Sequence, residues 1–225
     1  ISYEGLVARY LYNQRNGVNE QAEQSPRIPI GSLSEADQER LLKLSYGTIR
    51  GLLASEKPKI LYIDDQAGNG WSLVLQQIIY GEQNPHFTVI VPKKESTISD
   101  LYQSVVEESI DPHWTPDLIL LDLRLFDEKV SGSKVGDLSG AKLLGKIKCK
   151  NYLNNPINCP VLIVTASNKS WSFRELSKLG ADGLWIKEGL DDNLDLHQSQ
   201  ENYNKLLDLI VSYVYSPEYQ FLIEY

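Results

Sequence analysis

Three aspartates, a threonine and a lysine stand at the ends of short apolar runs, and together they could hold a divalent cation and transfer a phosphoryl group. Asp64 and Asp65 close the run that starts at Lys59, Asp122 closes 117–122, Thr165 lies near the end of 160–167, and Lys187 closes 183–187. Three carboxylates brought to one spot repel each other, and leaving them unpaired is costly. A hard cation resolves this, and magnesium prefers a few carboxylates together with waters and phosphate oxygens. Carboxylates can form aspartyl-phosphates, and Asp122 is the natural nucleophile of the set. The metal would neutralise charge on the transferring group. Lys187 would pair with one phosphate oxygen, and Thr165 would donate a hydrogen bond to another. Singly, each residue has a plainer reading: a solvated acid, a strand-end cap, a surface lysine. The weight comes from all four ends agreeing in one chain.

The elements that must position these residues alternate from Pro58 onward. Strands are expected at 59–63, 86–91, 117–121, 160–164 and 183–186, and helices at about 69–80, 97–110, 139–149, 170–179 and 200–214. Short apolar strands separated by amphipathic helices argue for a parallel sheet covered on both faces. The fold class expected is α/β: a five-stranded, doubly wound parallel sheet of flavodoxin-like order 2-1-3-4-5. In that order strands 1 and 3 are neighbours at the switch point, where ligands bind outside the carboxyl ends. Residues 1–57 read as a helical extension and linker. An apolar-aromatic segment spans 1–13, a polar Gly- and Pro-bearing stretch spans 14–31, and a helix is opened by Ser32 with Glu35 in a capping box. Residues 58–215 form the main domain and 216–225 a tail.

The chain has 225 residues, enough for one such domain with an extension, and 42% apolar residues, enough for a core. A net charge of −8 argues against a general nucleic-acid surface. No stretch approaches the roughly 20 apolar residues of a membrane span. Cys149 and Cys159 make no disulfide framework and no zinc motif, which points to a reducing, cytoplasmic setting. The chain begins at Ile1 and has no methionine, so it is expected to be part of a longer reading frame, in which a missing output domain could carry the biology. His86, His113 and His197 show no ligand spacing.

The motifs resemble the receiver domain of two-component response regulators over about residues 58–215. Residues 60–65 (Ile-Leu-Tyr-Ile-Asp-Asp) resemble its first strand with the acidic pair, and 120–125 (Leu-Leu-Asp-Leu-Arg-Leu) the strand with the phospho-accepting aspartate. Residues 138–144 resemble the opening of its third helix, whose small residues pack near the site. Residues 160–167 resemble its fourth strand with the switch hydroxyl, and 180–187 its fifth strand with the lysine. The resemblance implies that Asp64 and Asp65 bind Mg2+, directly or through water. It implies that Asp122 accepts phosphate from a histidine kinase or phosphotransfer protein, and that the backbone carbonyl of Arg124 completes the metal site. Thr165 and Lys187 would hold the phosphoryl group. The chain would then phosphorylate and slowly dephosphorylate itself, with no metabolic enzyme activity, and would signal through a downstream protein partner or an output domain.

Three departures stand out. Residues 126–137 read as an insertion after Asp122. Glu188 follows the lysine where the family usually has proline, and its carboxylate is a competitor for Lys187. Leu184 occupies the usual switch-aromatic position, with Trp185 beside it either facing outward or in the core. They leave open a degenerate receiver acting as a phosphorylation-independent interaction module. A haloacid-dehalogenase-like phosphatase is disfavoured because Arg124 stands where a general acid is needed. Tyr3, Tyr10 and Tyr12 near the start, and Tyr213, Tyr215, Tyr219, Phe221 and Tyr225 at the end, are expected to dock on the domain, on each other or on a second copy in a homodimer.

Overall fold

The computed structural model describes residues 49, 51, 53, 56–110, 114–126, 134–149, 157–166, 173–188 and 196–215. The expected segments at 1–13 and 14–31, the start of the helix opened by Ser32, most of the insertion (127–133) and the tail 216–225 lie outside the described residues, as do the aromatics Tyr3, Tyr10, Tyr12, Tyr219, Phe221 and Tyr225.

Among the described residues from Ile60 onward, five strands alternate with five helices: β1 (Ile60–Ile63), α1 (Trp71–Tyr80), β2 (Phe87–Ile90), α2 (Ile98–Ile110), β3 (Leu118–Asp122), α3 (Ser139–Ile147), β4 (Val161–Thr165), α4 (Phe173–Lys178), β5 (Gly183–Ile186) and α5 (Leu196–Val214). All strand pairs are parallel and the order is β2-β1-β3-β4-β5, the arrangement expected from the sequence. The chain is a flavodoxin-like α/β fold, and β1 and β3 lie side by side with Ile63 level with Leu121.

Alternate residues of each strand feed two cores, because side chains of a strand point to opposite faces. Leu61, Ile63, Ile119, Leu121, Val161 and Ile163 pack with α2, α3 and α4. Ile60, Tyr62, Leu118, Leu120, Leu162, Val164 and Trp185 pack with α1 and α5. The three central strands β1, β3 and β4 are buried throughout, as near-continuous apolar runs require. Helical residues Ile49 and Leu53, ahead of β1, are buried in the α1/α5 core as well.

Several boundaries differ from the sequence expectation. β3 and β4 start one residue later than 117 and 160. Asp117 is tied across to Lys59, accepting its N–H on the carboxylate at 2.7 Å and donating its own N–H to the Lys59 carbonyl at 2.8 Å. Pro160 has no N–H for the ladder, although its carbonyl accepts from Ile119 at 3.0 Å. The first helix starts at Trp71 because a short 3-10 turn, Ala67–Asn69, and Gly70 at φ 106° come first. α3 ends at Ile147, two residues early, and α5 starts at Leu196, four residues before the expected 200.

Part of the inserted loop belongs to the core. Val135, in a short 3-10 turn before α3, is buried among the α2/α3 apolar residues. Of the terminal aromatics, Tyr213 and Tyr215 lie among the described residues and pack against the α1/α5 core. The Tyr213 hydroxyl donates to the Asp182 carbonyl, and Gly183 leaves room for the ring, since a methyl there would meet Tyr213 Cε2 at 2.8 Å. Among the described residues no helix is long and apolar enough to cross a membrane.

Candidate functional site

The carboxyl ends of β1, β3, β4 and β5 bring the sequence candidates to one edge of the sheet. Asp122 is the last residue of β3 and 5% exposed; Asp64 follows β1 and is fully buried; Thr165 ends β4; Lys187 follows β5 and is 3% exposed. The Lys187 ammonium lies between the two acids, 2.5 Å from Asp64 Oδ2 and 3.0 Å from Asp122 Oδ1. Buried charges need this kind of pairing, since an isolated carboxylate in the interior is far too costly. The Lys187 backbone N–H donates to the Thr165 carbonyl at 2.8 Å, which ties the ends of β4 and β5 together.

The second oxygen of Asp122 accepts the Arg124 N–H at 2.7 Å. Burial pushes the Asp122 carboxyl up to about 6, against the pull of Lys187; the nearby Asp64 charge adds to the rise. Asp64 is held by three donors. Its Oδ1 accepts the Gln66 N–H at 2.6 Å, while its Oδ2 accepts both Lys187 and the Tyr62 hydroxyl. Burial first, and the Asp64 charge next, raise the Tyr62 phenol well above its ordinary value, so it stays a proton donor. The Trp71 ring faces Lys187, 5.5 Å from the ammonium to the ring centre.

Asp65 stands apart from this pairing. It is half-buried, and its carboxylate accepts from the Gln66 side chain at 3.0 Å. Among the described residues no three His, Cys, Asp or Glu side chains come together as a metal-holding group. The cation between Asp64 and Asp122 is the lysine. The donors nevertheless suit magnesium, which takes only one or two protein carboxylates and completes its shell with waters and phosphate oxygens. Asp122, Asp65 and the Arg124 backbone carbonyl are oxygen donors of that kind.

The loop after Asp122 is set by α3. Ser139 Oγ accepts the Leu125 N–H at 2.8 Å, and the Gly140 N–H donates to the Leu123 carbonyl at 3.0 Å. A Cβ on Gly140 would lie 2.0 Å from the Asp122 carbonyl oxygen, so only glycine lets the helix approach this closely.

Glu188 does not compete for Lys187. It is turned to α5, accepting from Asn202 Nδ2 at 3.4 Å, and the same amide donates to the Ile186 carbonyl at 2.9 Å. Trp185 is core: it is 2% exposed, donates its indole N–H to the Asn202 carbonyl at 2.9 Å, and packs edge-on to Trp71 at 6.4 Å. Leu184 lies on the opposite face, against the α2/α3/α4 core. The residues at the site that sequence reasoning missed are Tyr62 and Trp71. Tyr62 carried a signal, since residues two apart share a face at a strand end. Trp71 reaches Lys187 through a turn that no periodicity encodes.

No protein-family model and no curated protein matches the chain. Among solved structures it is similar to the response regulator domain of Thermotoga maritima CheB, with 21% identity over 70% of this chain and 96% of that one, at a TM-score of 0.42. It is similar to the phosphorylated cyanobacterial phytochrome response regulator RcpA, with 16% identity over 71% and 96%, at a TM-score of 0.42. A third is the Mn2+-bound response regulator Rcp1, with 19% identity over 69% and 94%, at a TM-score of 0.40.

Proposed function

We propose that the chain is a response-regulator receiver that accepts a phosphoryl group on Asp122. The observation that carries this reading is the buried Asp122 at the end of the central strand, ion-paired to Lys187, which Asp64 shares. An Asp122 oxygen attacks phosphorus in line as the bond to the donor nitrogen or oxygen breaks. Lys187 moves its ammonium from the carboxylate to a phosphoryl oxygen. The Thr165 hydroxyl donates to a second oxygen, and the Arg124 N–H keeps the carboxylate oriented. Asp65, Asp122 and the Arg124 carbonyl would hold Mg2+, with Asp64 nearby, and the ion would supply charge neutralisation on the transferred group. The phosphate source is a histidine kinase or phosphotransfer protein in the cytoplasm. The output passes to a downstream protein or an output domain. The chain catalyses only its own phosphorylation and slow dephosphorylation.

The test is phosphorylation of the purified chain by a small-molecule phosphodonor with Mg2+, read by intact mass, with Asp122→Asn as control. A magnesium-dependent gain of one phosphoryl group in the native chain alone supports the reading. A second reading, a phosphorylation-independent interaction module, is favoured by one observation: Asp64 already has three donors and Lys187 fills the space between the acids. A folded native chain that gains no phosphoryl group selects it.

A further inference from the structure

Asp64 accepts three hydrogen bonds, and both positions on its Oδ2 are taken. A carboxylate offers about four lone-pair positions. Tyr62 and Lys187 take both on Oδ2, and the Gln66 N–H takes one on Oδ1. Tyr62 is fully buried in β1, and its ring is fixed 5.8 Å from Phe87. Its hydroxyl therefore has a fixed direction, and a buried phenol without this acceptor would be left unsatisfied.

We propose that Tyr62 is a positioning residue that ties Asp64 to Lys187 and keeps Asp64 from binding the metal ion directly. Asp65 and Asp122 would then hold the ion, and Asp64 serves as the anchor from which Lys187 reaches Asp122. This rests on the metal-assisted receiver reading above, and it adds a residue which that reading does not use. Removing the hydroxyl frees one position on Asp64 Oδ2 and leaves its negative charge less satisfied. The acid can then turn toward a cation.

The experiment is calorimetric titration of Mg2+ alone, without phosphodonor, into the native chain, Tyr62→Phe, and Tyr62→Phe combined with Asp64→Asn. Phenylalanine keeps the ring packing and removes only the donor. The result expected is about tenfold tighter Mg2+ binding by Tyr62→Phe, the scale of one hydrogen bond to a charged group, and loss of that gain in the double variant. A purely structural role for the phenol would not raise metal affinity. Equal or weaker binding by Tyr62→Phe, a gain that survives Asp64→Asn, or binding by neither protein overturns the proposal. Failure of the native chain to take up phosphate, with the affinity gain intact, overturns the receiver reading and leaves the assignment of Tyr62 standing.

Discussion

Lys187 carries the charge balance of the site. It faces two acids that are nearly or wholly buried, and removing one partner from such a group leaves an uncompensated charge. Lys187→Ala is expected to lose about 3–5 kcal/mol of unfolding free energy near neutral pH. Added Mg2+ is expected to restore part of it. Urea unfolding with and without the metal measures both. Asp122 has a pH signature of its own. Its carboxyl is pushed up to about 6, above the ordinary value of 3.8, so the folded state holds the proton more tightly than the unfolded chain. Protonation therefore favours folding, and this contribution is lost as pH rises from the ordinary carboxylate range through about 6. Asp122→Asn removes the dependence. In chelator, the Tm of the variant relative to the native chain is expected to climb across that window and to level off above it, as thermal melts over a pH series will show.

At the scale of elements, the site depends on how closely helices approach strand ends. α3 reaches the β3 end only because residue 140 is glycine; a methyl there would also meet Leu123 Cα at 2.7 Å. Gly140→Ala must push α3 or the Asp122–Leu123 backbone aside. The expected cost is about 1–3 kcal/mol, as for other overpacked sites, together with slower uptake of phosphate from a small donor. Chemical denaturation and the mass assay read the two effects separately. α5 acts on the other side of the site. Asn202 bonds to Ile186 and Glu188 and accepts from Trp185, so the residues flanking Lys187 are held by a helix.

At the scale of the whole molecule, the two cores differ in what completes them. The α2/α3/α4 side draws in Val135 from the inserted loop. The α1/α5 side includes Ile49 and Leu53, which precede β1. Leu53 is fully buried, so Leu53→Ala is expected to cost about 2–5 kcal/mol, the range for large-to-small core changes. Urea unfolding of the full chain measures it. A loss under about 0.5 kcal/mol, typical of surface changes, would show that these residues contribute little to the domain.

Much of this was legible in the sequence because it depends on local pattern. Short apolar runs between amphipathic helices determined the number and type of elements. A parallel doubly wound sheet then gathers strand ends at one edge, so Asp64, Asp122, Thr165 and Lys187 were found by position alone. Tertiary structure decided the rest. Whether Trp185 was core or surface depended on α1 and α5 packing over it, and Glu188 was drawn from Lys187 by Asn202, fourteen residues on. The three carboxylates expected at one spot resolved into an Asp64–Lys187–Asp122 group with Asp65 at the side. The Asp64–Lys187 pair spans 123 residues of chain. Periodicity reports which face a residue takes, but which buried charge meets which counter-charge is decided only when the strands are set side by side.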